Sequence, residues 1–97
     1  MLQATALVYL FYHDFALQDH LITATKTNAN YVNNYILPDL LQQNQIKKEV
    51  SRNKKSYRLT EKGRKYASEL IDHIEKKTDL GTSTFLVGIN LESIRNL

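Results

Sequence analysis

Apolar residues recur along this chain in two rhythms, one helical and one alternating. Between residues 2 and 15, Ala4, Leu7, Val8, Phe11 and Phe15 fall at helical spacing. Apolar coverage there is wide, which implies burial on more than one side. A buried strand over 7–12 is the alternative; the length of the run favours a helix. A second, shorter helix is predicted over 17–24, with Leu17, Leu21, Ile22 and Ala24 inward. The polar stretch Thr25-Lys26-Thr27-Asn28 then interrupts the pattern. Thr27 and Asn28 suit a helix N-cap, because their side chains accept a hydrogen bond from an unpaired backbone N–H. In the third helix that follows, Ala29, Val32, Ile36 and Leu40 form one stripe, with Tyr35 at its edge. Asn30, Asn34 and Leu37 lie opposite, flanked by Tyr31 and Asn33. Pro38 has no N–H to donate and crowds the preceding turn. It predicts a kink near Leu37, or a break with a fresh turn over 39–43.

The rhythm then changes. Ile46, Lys48 and Val50 alternate with Lys47 and Glu49, and Tyr57 and Leu59 alternate with Ser56 and Arg58. Two short strands around a polar, basic tip read as a β-hairpin. The tip holds no Asn-Gly or Asp-Gly, so a turn longer than two residues is expected. Thr60 can cap a fourth helix, with Glu61 favourable at its positive end. Tyr66, Ala67, Leu70, Ile71 and Ile74 give that helix a stripe through Lys77, and Gly81 marks a stop. Phe85, Leu86, Val87, Ile89, Leu91, Ile94 and Leu97 make the end of the chain apolar again. A short helix from about Thr84, capped by Ser83, is predicted there, with a strand over 84–89 as its rival.

Composition narrows the function classes. With 97 residues, 42% of them hydrophobic, the chain has room for one modest core. It holds no cysteine, which excludes disulfides, thiolate metal sites and a cysteine nucleophile. His13, His20 and His73 are scattered, without the spacing of a helical zinc site, and the three glycines are isolated, so no phosphate-cradling loop exists. No cofactor is expected, and an enzyme is the least supported class. No basic flank precedes the apolar run 6–12, and that run is too short to span a bilayer, so a cytoplasmic protein with no membrane partner is expected. The formal charge is only +3, but its distribution is uneven. Residues 26–66 carry ten basic and three acidic side chains, a balance of +7, while the segments on either side are each at −2. A positive segment of this kind suits a polyanion.

The stretch Tyr57-Arg58-Leu59-Thr60-Glu61-Lys62-Gly63-Arg64 resembles the junction that closes the wing in winged helix-turn-helix regulators of the PadR and MarR types. The similarity extends over 17–77, and Ile22 and Val32 keep the ten-residue separation common in the helix-turn-helix. Lys26 stands where a glycine often marks the turn. The resemblance implies a mainly α fold with a small β-hairpin (α+β), in the order helix, helix, helix, hairpin wing, helix. It implies a sequence-specific regulator of transcription, a repressor, bound to double-stranded DNA. The third helix would enter the major groove, led by its N-terminal part.

The residues fit that role. Thr27, Asn28, Asn30, Tyr31, Asn33 and Asn34 are the candidate base contacts. An asparagine amide offers the acceptor and donors that match adenine N7 and N6, so A·T-leaning sites are expected. Asn30 and Asn34, four apart, should project together. Lys26, Lys47, Lys48, Arg52, Asn53, Lys54, Lys55 and Arg58 are the candidate phosphate or minor-groove residues, with Arg52 assigned to a narrow A·T minor groove. Tyr57 and Leu59 read as core, and Gly63 as a point of close backbone packing.

One winged-helix domain over 1–97 is expected, with 1–16 and 79–97 as dimerisation segments. These carry more apolar surface than a compact wing domain needs. Leu7, Phe11, Phe85, Leu86, Ile89 and Ile94 are the candidate interface residues of a homodimer on palindromic or repeated sites. Two other roles fit the same fold. One is a plasmid or phage partition or architectural adaptor that coats repeated sites and recruits a partner. The other is a winged-helix module for protein–protein contact.

Overall fold

In the computed structural model, which describes residues 2–77 and 89–97, the first element is helix α1 (Leu2–His13). Strand β1 (Phe15–Leu17) and helix α2 (Gln18–Thr25) follow. Helix α3 (Ala29–Tyr31) runs through a π-helical stretch (Val32–Ile36) into α4 (Leu37–Gln42). Strands β2 (Ile46–Ser51) and β3 (Lys54–Leu59), then helices α5 (Glu61–Lys77) and α6 (Leu91–Arg95), complete the order. This is the mainly α winged-helix arrangement with a small sheet.

Helix α1 is the centre of the core. Six consecutive residues, Thr5 to Leu10, are buried, and the helix packs against α2, α5, α6 and β3. Its wide apolar coverage is thus used within one chain. Leu7 and Leu10 of α1 and Leu21, Ile36 and Leu40 from other elements are among the fully buried side chains, each contributing roughly 1.5–3 kcal/mol. From α5, Ala67, Leu70, Ile71 and Ile74 complete the core as the stripe predicts, but Tyr66 faces solvent.

The sheet differs from expectation in two ways. It has three strands, in the order β1-β3-β2, all antiparallel. Phe15 and Leu17 therefore belong to a strand and not to the flanking helices. Asp14, at φ 62°, turns the chain out of α1 into β1. The second difference is the hairpin turn. Ser51 pairs with Lys54, so only Arg52 and Asn53 lie between the strands. Both have positive φ, 52° and 65°, the signature of a type I′ turn. That turn matches the twist of the strands, and here it forms without glycine.

Both helices of the helix-turn-helix end in a left-handed residue. Lys26 (φ 56°) follows α2, where its N–H bonds to Thr23 O and that of Thr27 to Ile22 O. Asn44 (φ 58°) follows α4, with its N–H on Leu41 O and that of Gln45 on Leu40 O. Each is a Schellman motif, which satisfies the last carbonyls of the helix.

A strap joins the end of this second helix to the start of α5. Thr60 N–H donates to Gln45 O at 3.1 Å, and Thr60 Oγ1 donates to Asn44 O at 2.7 Å. The same hydroxyl accepts from Gly63 N–H at 3.0 Å, the predicted cap. A Cβ at Gly63 would fall 1.8 Å from Gln45 O, so only glycine allows this approach.

Helix α6 begins after Asn90, whose side chain accepts from Ser93 N–H. His13 Nε2–H donates to Ile94 O at 2.9 Å and ties α6 to the end of α1. The predicted start at Thr84, the Ser83 cap and the Gly81 stop lie outside the described residues.

Candidate nucleic-acid interface

The helix over 29–42 opens as its sequence predicts. Asn28 is extended (φ −136°), and its Oδ1 accepts from Tyr31 N–H at 2.8 Å. Its side-chain oxygen is therefore held by the cap, and the residue is exposed. Thr27 is half-buried, and its hydroxyl shares a 2.7 Å hydrogen bond with Thr25. It serves the turn between the helices. Asn30, Asn33 and Asn34 are exposed, as is Tyr31. Asn34 Nδ2 donates to Asn30 Oδ1, so the two amides are linked on the exposed face. Lys26 is exposed at the turn.

Past Tyr31 the helix departs from the α register. Leu37 N–H donates to Val32 O, five residues back. Pro38 explains this. It cannot donate to the Asn34 carbonyl, and its ring crowds that group. The backbone relieves the conflict by widening one turn, and the helix neither breaks nor restarts. The wider turn rotates the faces that follow. Val32 and Leu37 come into line, so Leu37 is buried and not exposed as expected. Ala29, expected on the buried stripe, is exposed. Tyr35, expected at the edge of the core, is 59% exposed. Its ring lies 5.1 Å from that of Tyr31, at 39°. Tyr35 is the surface residue that the plain α period conceals; the only signal for it was Pro38 three positions on.

The wing leaves the core quickly. Ile46 is the one buried residue of β2, and Tyr57 and Leu59 are those of β3. Ala16 of β1 lies beside Tyr57. Burial pushes the Tyr57 phenol up from its ordinary 10.0, as it does for Tyr9. Paired residues share a face. Lys48, Val50 and Lys55 therefore extend the Tyr57 face toward the tip, and Lys47, Glu49, Ser51, Lys54 and Arg58 occupy the other. Lys47, Lys48, Arg52, Asn53, Lys54 and Lys55 are all exposed. Arg58 differs: its Nε lies 3.0 Å from Glu49 Oε1, so its charge is offset within the hairpin. Val50, 63% exposed among the lysines, is an apolar point on the wing that charge-reading alone overlooks.

The proposed interface residues separate into three groups. Leu7 (1% exposed), Ile89 and Ile94 are covered by the chain's own packing and are core residues. Phe11 is half-buried, with the Arg64 guanidinium 5.7 Å from its ring centre. Phe85 and Leu86 lie outside the described residues. Among the described residues, no group of three or more His, Asp or Glu is placed to hold a metal. No described helix is long and apolar enough to cross a membrane.

Known structures bear on the fold. A double mutant of Lactococcus lactis ZitR in apo form aligns with a TM-score of 0.68 at 21% identity, covering 94% of this chain and 70% of that one. A single mutant of the same protein gives 0.71 at 22%, covering 98% of this chain and 65% of that one. A further structure of the double mutant gives 0.68 at 21%, covering 94% and 64%. The chain spans about two thirds of the length of these proteins. No protein-family model and no curated protein matches the sequence. Identity this low speaks to architecture alone, and on architecture the helix-turn-helix, three-stranded sheet and projecting hairpin make this a winged-helix protein.

Proposed function

We propose that this chain is a sequence-specific double-stranded DNA-binding regulator of transcription, acting as a repressor. In this reading the 29–42 helix lies in the major groove, where Asn30, Asn33 and Asn34 meet adenine edges. The wing holds the phosphate backbone through Lys47, Lys48, Lys54 and Lys55, with Arg52 directed at the minor groove. Asn28, Thr27 and Lys26 shape and flank the turn. Arg58 contributes little, because Glu49 already neutralises it.

One observation carries the reading. The asparagines of the 29–42 helix are exposed, and that helix leads directly into a hairpin with five exposed cations outside its one ion pair. Exposed amides on one element and unneutralised lysines on the next suit base edges and phosphates respectively.

We assign the chain no enzymatic role. His13 and His20 are both engaged in local structure, His13 with Ile94 O and His20 Nδ1 as acceptor for Leu17 N–H. A two-fold dimer on palindromic or repeated A·T-leaning sites is part of the proposal. Phe15, Leu97 and half-buried Phe11 are apolar side chains left at the surface for it.

Selection of bound genomic fragments at several salt concentrations tests the reading. Asn30→Ala should lower discrimination between sites, whereas Lys54→Ala should weaken all sites alike. Equal effects of both variants on selected and random DNA would refute the assignment of the helix. Cooperative spreading along tandem sites would favour the coating role over single-site repression. Sedimentation of the free chain tests the dimer.

A further inference from the structure

We infer that Tyr31 and Tyr35 form a second reading row on the 29–42 helix and recognise the 5-methyl group of thymine. The inference rests on the DNA-binding reading above and adds to it a partner for the asparagines.

The two tyrosines are 36% and 59% exposed, and their ring centres lie 5.1 Å apart. Asn30 and Asn34 are joined by their own hydrogen bond one position earlier in each case. The helix therefore carries two parallel pairs, one polar and one apolar. Positions four apart lie on one face of a helix, so each pair forms a row along it.

The major-groove edge of an A·T pair has the same two-part character. Adenine offers N7 and the N6 amine, and thymine beside it offers a methyl group. An amide row next to an aromatic row matches both bases of one pair. A G·C pair presents no methyl group, and cytosine sets an amine where the ring would lie. The pairing of rows thus gives A·T preference from both strands, which the asparagines alone do not supply. Burying one methyl group is worth about fourfold in affinity.

The experiment compares a duplex selected by the full chain with the same duplex in which every thymine is replaced by deoxyuridine. That change removes methyl groups and nothing else. Binding is followed by fluorescence anisotropy at fixed salt. The parent chain should bind the deoxyuridine duplex about fourfold more weakly for each methyl contacted. Tyr35→Ala should shrink the difference, and the Tyr31→Ala/Tyr35→Ala double variant should bind the two duplexes alike. Tyr35→Phe should keep the difference, since the ring and not the hydroxyl makes the contact. Circular dichroism confirms that the variants fold. Equal binding of both duplexes by the parent, with its site preference intact, would overturn this inference alone. So would a difference that persists in the double variant, which would trace it to DNA shape. Absence of any duplex preference would overturn the DNA-binding reading and this inference with it.

Discussion

Lys26 sits in the left-handed region with a full side chain, at the turn between the two helices of the helix-turn-helix. An L-residue there costs about 1–2 kcal/mol, and glycine gives back part of this as entropy, about 0.5–1 kcal/mol. Lys26→Gly should therefore raise stability, by on the order of 0.5–1 kcal/mol. Urea unfolding measures this, and a loss of stability would contradict the strain argument. The retention of lysine at a strained position is consistent with a use for its charge. Tyr57 gives a second test. Its phenol is raised above the ordinary 10.0 by burial. Below that pH the group is neutral in both the folded and unfolded chain. As pH rises from 10 toward the folded value, the unfolded chain ionises first and stability falls. Tyr57→Phe should flatten part of that alkaline decline, with Tyr9 responsible for another part. An unchanged alkaline slope in Tyr57→Phe would mean that the burial of Tyr57 does not contribute to it.

At the level of elements, most of the fold was legible and the departures have definite causes. The helices announced themselves through period and caps: Asn28, Thr60 and the stripe of α5, Tyr66 apart, stand where the sequence places them. Strand β1 was invisible because three residues are too few to alternate, and its existence depends on β3 being alongside. The tight turn was missed because Arg52 and Asn53 adopt positive φ without glycine. The outward asparagines were legible from one-face spacing, whereas Tyr35 and Leu37 exchanged their expected places. That exchange traces to Pro38, which makes a variant informative. Pro38→Ala restores an N–H for Asn34 O and permits a regular α turn. The gain in helix propensity, up to about 3 kcal/mol, is opposed by the loss of Leu37 burial, roughly 1.5–3 kcal/mol. Stability should stay within about 1.5 kcal/mol of the parent. Discrimination between DNA sites should nevertheless drop, because both side-chain rows turn. Competition binding against random duplex measures this, and undiminished discrimination would show that the widened turn has no part in recognition.

For the molecule as a whole, charge sets the testable expectation. Net charge is only +3, yet five unneutralised cations are concentrated on the hairpin. If each neutralises one phosphate, log affinity should fall against log salt with a slope near −4.5 per subunit. Lys54→Ala should reduce that slope by about 0.9, and Arg58→Ala should leave it unchanged. Titrations at four or five salt concentrations decide the matter. A slope near zero in the parent would point to a protein partner. A further consequence follows from Gly63. With its α-carbon pressed against the Gln45 carbonyl and Thr60 stitched to Asn44 and Gln45, the base of the wing and the end of the 29–42 helix are tied together as one bracket. The span between the two probes is then a constant of the protein. In the proposed DNA-binding role, a duplex whose grooves do not fit that span must itself yield. Its compliance varies from one base step to the next, so steps that no side chain touches would still help decide where this protein settles.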